Sequence, residues 1–203
     1  MGSPESSVFA PKKKEPSPYE QVVADPGFKE WFKGSAVATS EGEPLVVFHS
    51  TLAKSFDGLT FKLNTEADDW NSYGIYFTSD RKASRDYYSS EYENTNDRYD
   101  RLLKTANPLE KLAVRKERKE YLERNEPNVK TFSTLLQIRN PLVLANHQEL
   151  MNLSFSGVTR EDLMKKFDGI IVRHDPNFTD QYIVFNPEQA RIIPSDLELN
   201  KNN

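Results

Sequence analysis

Leu45-Val46-Val47-Phe48-His49-Ser50-Thr51 is a short apolar run that ends on three polar residues. Four apolar residues after Gly42 and Pro44 are too few for a helix and fit a buried strand. Outward from it the same pattern returns. Tyr73-Gly74-Ile75-Tyr76-Phe77 reads as a second strand, and Phe132 to Ile138 as a third. Asn140-Pro141 then punctuates the chain before Leu142-Val143-Leu144. Ile170-Ile171-Val172 and Tyr182-Ile183-Val184-Phe185 complete the set. Short helices fall between these strands. Phe28, Trp31 and Phe32 recur at helical spacing between Asp25-Pro26-Gly27 and Gly34. Ser79 stands where a cap would precede a helix carrying Ala83 and Tyr87. Thr159, with Asp162 three residues on, predicts a helix over Leu163, Met164 and Phe167 that ends near Gly169. Strands and helices alternate without a βαβ rhythm, so the fold class is α+β.

Three segments stand apart. Residues 1–25, with Pro4, Pro11, Pro16, Pro18 and the run Lys12-Lys13-Lys14, read as a flexible leader. Met-Gly-Ser also fits an expression scar, and Gly2 with Ser6 fits a myristoylation pattern that would give weak membrane attachment. The domain itself spans 26–196, and 197–203 form a C-terminal tail. Within the domain, about 90–128 read as a charged helical insertion. Asn107, Pro108 and Glu110 start its helix, Asn125 and Pro127 stop it, and Leu109, Leu112, Ala113, Tyr121 and Leu122 are its packing residues.

Composition removes several function classes. The 203 residues are 36% hydrophobic and 29% charged, with no run near the ~20 apolar residues of a membrane helix. Cys is absent, which excludes disulfides and thiolate chemistry. Residues 98–124 carry nine Lys/Arg against five Asp/Glu, a net of +4, so the rest carries −8 of the total of −4. An acidic remainder is a poor general nucleic-acid binder. The eight Gly form no phosphate-binding loop, and His49, His147 and His174 lack metal-ligand spacing.

What remains is a polar residue at each apolar strand: His49 after the first, Tyr76 within the second, and Gln181 before the last. Singly, a strand-end His is usually a satisfied structural group and a strand Tyr belongs to the core. Together, Val-Val-Phe-His49-Ser-Thr, Gly-Ile-Tyr76-Phe-Thr-Ser and Asp-Gln181-Tyr-Ile-Val-Phe-Asn-Pro-Glu-Gln resemble the three motifs of ADP-ribosyltransferases. The likeness is to the His-Tyr-Glu branch that includes diphtheria toxin and the poly(ADP-ribose) polymerases. Ser84 and Tyr87 follow Tyr76 at the eight and eleven residues found in that branch. Gln-Ile-Arg-Asn-Pro-Leu-Val-Leu and Phe-Asp-Gly-Ile-Ile-Val most resemble the transferase domains of phage and mobile-element polyvalent proteins.

The resemblance implies two small, roughly perpendicular β-sheets forming an NAD cleft, with peripheral helices. It implies NAD as substrate, no metal, and catalytic positions at His49, Tyr76 and Gln181. His49 would hold the adenosine ribose. The Ser50 backbone and the Ser84 hydroxyl would fix the nicotinamide amide, with Thr51 beside them, and Tyr76 and Tyr87 would sandwich the ring. Breaking the nicotinamide–ribose bond builds an oxocarbenium-like cation, for which these groups supply position rather than acid–base chemistry. The family's anionic Glu is replaced by Gln181, which keeps a carbonyl acceptor but no charge. Asp180 and Glu188 are possible substitutes, Asp180 the poorer because adjacent strand residues face opposite ways. The implied activity is transfer of one ADP-ribose unit to an acceptor, protein rather than nucleic acid, as in toxins and effectors. NAD glycohydrolase and an inactive NAD- or ADP-ribose-binding pseudoenzyme are the alternatives. The implied location is cytoplasmic, or a host cytoplasm after delivery.

Overall fold

The computed structural model describes residues 15–53, 61, 70–173 and 179–194. The leader's Gly2, Ser6 and triple-lysine run, His174 and the C-terminal tail lie outside the described residues. In chain order the elements begin with α1 (Pro18–Ala24), α2 (Pro26–Phe32), β1 (Val47–Ala53) and β2 (Ile75–Thr78). Next come α3 (Arg81–Thr105), α4 (Pro108–Arg124), β3 (Asn125–Leu136) and β4 (Pro141–Leu144). The chain continues through α5 (His147–Phe155), α6 (Arg160–Met164), β5 (Gly169–Val172), β6 (Gln181–Val184) and β7 (Ala190–Ile192). The architecture is α+β, as the strand and helix pattern predicts.

The strands lie in the order β4-β5-β6-β2-β1-β3-β7. All neighbours are antiparallel except β4 and β5. The two expected sheets are joined in this one order, but the join is narrow. β1 meets β2 through a single register pair, Phe48 with Thr78, whereas β2 and β6 share four. The seam separates β4-β5-β6-β2 from β1-β3-β7.

Side-chain alternation sorts the core onto the two faces of this sheet. One face carries Val47, Ile75, Phe77, Phe132, Tyr182 and Val184. The other buries Ile170, Val172, Ile183 and Phe185 against Leu150 of α5 and Leu163 of α6. On the first face Thr134 is fully buried, and its hydroxyl has no hydrogen-bond partner among the described residues. Thr134→Val removes an unsatisfied polar atom at constant shape. It is expected to leave stability unchanged or raise it by about 1 kcal/mol. Urea unfolding checks this, and a loss of that size would contradict it.

Several boundaries differ from those the sequence suggests. The leader is shorter. Residues 18–24 form α1, because Ser17 caps the Glu20 amide and the Glu20 carboxylate returns the bond. Tyr19, Val22 and Val23 of α1 then pack on Phe28, Leu135 and Ile193. Asp80, not Ser79, caps α3, accepting from the amides of Lys82 and Ala83. α3 runs on for 25 residues, so the insertion is the second half of α3 plus α4. Asn107 starts α4 as read, accepting from Leu109 and Glu110. Asn125, read as the stop, begins β3 directly.

The hairpin is pinned by polar contacts rather than by its leucines. Leu109 and Leu112 are 80% and 63% exposed. Arg118 instead donates to Asn96 twice and to Asp100 at 2.7 Å, and Tyr99 packs on Tyr121. α5 was not anticipated, although Asn146 followed by Glu149 is a capping pattern and Asn146 does accept from the Glu149 amide.

Candidate active site

Gly74 lets β2 lie flush against β6, since a Cβ there would stand 2.2 Å from the Val184 carbonyl oxygen. That contact sets the pairing of Tyr76 with Ile183 and of Thr78 with Gln181. Continued across the seam, one row of the sheet reads Val172, Gln181, Thr78, Phe48, Ser133. The next row on the same face holds Ile183 beside Tyr76, and Ser50 beside Thr131. Tyr76, Ser50 and Gln181 thus share a face, as neighbouring strands project paired residues to the same side. α3 roofs its β1–β3 side. Arg81 lies over the Phe48 ring at 5.7 Å and reaches Ser133, and Ser84 comes down one turn further on.

His49 has the opposite parity, and its ring fills the seam. Nδ1 lies 2.8 Å from the Tyr76 carbonyl oxygen, with Phe61 and Phe77 against the ring at 5.0 and 5.4 Å. A carbonyl only accepts, so Nδ1 carries the hydrogen and Nε2 is the acceptor. The bond also explains why the β1–β2 ladder stops after one pair, because the imidazole takes a strand carbonyl at the point where the ladder would continue. Burial lowers the His49 pKa below its usual 6.5, opposed only in part by the Tyr76 bond, so the ring is neutral at pH 7.

The sign of the pH effect follows. Below about 6.5 the unfolded chain takes up a proton that folded His49 refuses. His49 therefore costs stability as pH falls through 6.5 and costs nothing above it. His49→Asn is expected to flatten the fall in urea midpoint between pH 7.5 and 5.5. Parallel curves for parent and variant would rule this out.

Ser50 is fully buried, and its hydroxyl joins two others, Ser84 at 2.8 Å and Thr131 at 2.9 Å. Gln181 is half-buried. Its Oε1 is shielded from solvent and has no hydrogen-bond partner among the described residues. A buried acceptor without a donor is a polar group that a ligand can satisfy. Tyr76 is half-buried against the Ile170–Phe185 cluster. Thr51 is half-buried and faces Lys130 across β1 and β3. Tyr87 is 54% exposed, one turn beyond Ser84 on α3. Asp180 is engaged in an ion pair with Arg173, and Glu188 is exposed, so neither stands where Gln181 does. Thr131 was not singled out from the sequence. Its alternation with Ser133 along β3, on the face opposite Phe132 and Leu136, is the signal that marks it.

Among the described residues, no group of three His, Asp or Glu side chains is placed to hold a metal ion. No described helix is long and apolar enough to cross a membrane. A family model described as ADP-ribosyltransferase in polyvalent proteins matches residues 39–196. No curated protein and no solved structure matches the chain.

Proposed function

Because this chain belongs to the ADP-ribosyltransferases of polyvalent proteins, we propose that it cleaves NAD at the nicotinamide–ribose bond and passes a single ADP-ribosyl group to a protein acceptor. The supporting observation is the partnerless, shielded Oε1 of Gln181 on the face that also carries Tyr76 and the Ser50–Ser84 hydroxyls. A ribose hydroxyl is a donor of the kind that acceptor lacks. His49 Nε2 is an acceptor for a second ribose hydroxyl. Ser50, Ser84, Tyr76 and Tyr87 hold the nicotinamide.

In the reaction the C1′–N bond breaks heterolytically and nicotinamide leaves with the electron pair. The ribosyl cation is captured by the acceptor nucleophile, which sheds its proton to solvent. Gln181 orients the ribose through its carbonyl dipole but neutralises no charge, so positioning carries most of the rate. The same neutrality favours one alternative reading, a protein that binds NAD or ADP-ribose without turning it over. The protein acts in the cytoplasm in which it is made or into which it is delivered.

Nicotinamide release from NAD, run beside His49→Ala, tests the proposal. Release in the parent, lowered at least tenfold by His49→Ala, is the expected result. Labelled ADP-ribose on protein then distinguishes transfer from hydrolysis. A parent that binds NAD and releases nothing would leave the binding reading in place of the enzymatic one.

A further inference from the structure

The charges of the α3–α4 hairpin do not balance. Each carboxylate between residues 98 and 124 is already engaged. Asp100 holds Arg118, Glu120 holds Lys116 and Glu123 holds Lys119. Glu110 accepts from the Asn107 amide and Glu117 from the Tyr99 hydroxyl. Five of the segment's nine cations, Arg98, Arg101, Lys104, Lys111 and Arg115, form no ion pair among the described residues. Contacts of Arg118 with Asn96 and Asp100, and of Tyr99 with Tyr121, define the faces that the two helices turn to each other. At about 3.6 residues per turn, Arg101 and Lys104 then fall on the same flank of the hairpin as Lys111 and Arg115. Leu112 borders that flank and Leu109 stands beyond it, both left in solvent.

This chemistry selects among occupants. Exposed leucine beside unpaired cations suits a protein interface, which sets an apolar centre within a polar rim. A membrane would need a wide apolar face to insert, which two leucines do not make. A nucleic acid would run its phosphates past Glu110, Glu117, Glu120 and Glu123 of the same helix, and phosphate contacts gain nothing from leucine. A second copy of the chain is a poorer match, because many carboxylates of the body are committed. Asp25 and Asp80 cap helices, Asp168 accepts from two amides, and Asp162 and Asp180 hold cations.

We propose that this flank docks an acidic protein, one with an apolar spot among its carboxylates, and that the docked protein is the ADP-ribosyl acceptor. Only the second half of the proposal rests on the NAD reading above. Arg101 follows Ser84 along α3 by roughly 25 Å, at ~1.5 Å per residue. A small domain held at the flank spans that distance to the face that carries Ser84.

The test uses the full chain and a fluorescent helical peptide with glutamate on one face and leucine on the other. Its glutamine counterpart, a short DNA duplex and phosphatidylserine–phosphatidylcholine vesicles are the comparisons. Arg101→Glu, Lys104→Glu, Lys111→Glu and Arg115→Glu are combined in one variant. The same four positions changed to Gln make a second, which keeps the test decisive should the first fail to fold. The parent is expected to bind the acidic peptide about tenfold or more tightly than the other probes, and than either variant binds it. Preference for the duplex or the vesicles overturns the proposal, as does equal affinity in parent and variants. A parent that sediments as a dimer beside monomeric variants overturns it too, since a second copy then covers the flank. With labelled NAD in a cell extract, the variants should label protein about tenfold less than the parent. Their nicotinamide release from NAD alone should stay within about twofold of the parent's. Equal labelling overturns the assignment of the acceptor. If the parent releases no nicotinamide, the NAD reading falls by itself, because the peptide measurement uses no NAD and still decides the docking surface.

Discussion

Gln181→Glu is expected to raise nicotinamide release from NAD by about a hundredfold, the scale on which one preorganised electrostatic group acts on a charged transition state. The substitution keeps the size of the side chain and the acceptor at Oε1, and adds the negative charge that the developing ribosyl cation lacks a partner for. The site is shielded at that atom. Burial penalises the charged form, so the new carboxyl should titrate above the usual range for Glu. The variant should therefore gain activity as pH rises through that raised value, whereas the parent, with no ionisable group at 181, shows no such limb. Initial rates across pH 5 to 8 read both features. A variant no faster than the parent would mean that charge at this position does not limit the reaction.

Gln189→Leu is expected to cost about 3–5 kcal/mol of stability, because one side chain serves four backbone groups. Its Oε1 accepts from the amides of Phe185 and Asn186 at 3.1 and 2.9 Å. Its Nε2 donates to the carbonyls of Gln137 and Asp168 at 3.0 and 2.7 Å. It thereby ties the end of β6 to the turn after β3 and to the start of β5 at a buried point. Leucine fills the volume and satisfies none of the four, and each stranded buried group costs about 1–3 kcal/mol before water or movement relieves it. For a chain of this size the loss corresponds to roughly 10 °C in thermal midpoint. Chemical denaturation measures it, and a change under about 1 kcal/mol would show that these groups find other partners.

Gln189 also shows what a motif hides. Asn-Pro-Glu-Gln is legible as part of a signature, yet nothing in four letters reveals that its last residue is a structural clamp. The strands were legible for a simple reason. Val47, Ile75, Ile171 and Ile183 sit in short apolar runs, and burial on a sheet face requires such runs whatever their pairing. The candidate site suggests itself through His49, Tyr76 and Gln181 because each sets a polar side chain at or within an apolar run. Thr131 was not legible, since a threonine on a strand is ordinary and only the register opposite Ser50 gives it meaning. Helix ends are ambiguous where two capping residues stand side by side, as Ser79 and Asp80 do, because local sequence does not say which one the chain turns on. α1 is hard to read in the sequence because four prolines crowd the leader, although Pro18 at its first turn is compatible with helix.

The single rung between β1 and β2 bears on how the chain assembles itself. In sequence the strands pass across that seam four times, from β1 to β2, β2 to β3, β3 to β4 and β6 to β7. Each half of the sheet is therefore woven from segments that the other half interrupts. β7 must return to β3 after nearly the whole opposite half has been laid down. No contiguous fragment consists of either half alone, although β4, β5 and β6 follow one another in the chain. Closing these distant pairs costs chain entropy before they are rewarded, which is the signature of slow, all-at-once folding. The crease between the two halves is held by the Phe48–Thr78 pair, the His49–Tyr76 bond and the connectivity together, and the chain's own weave keeps it from tearing.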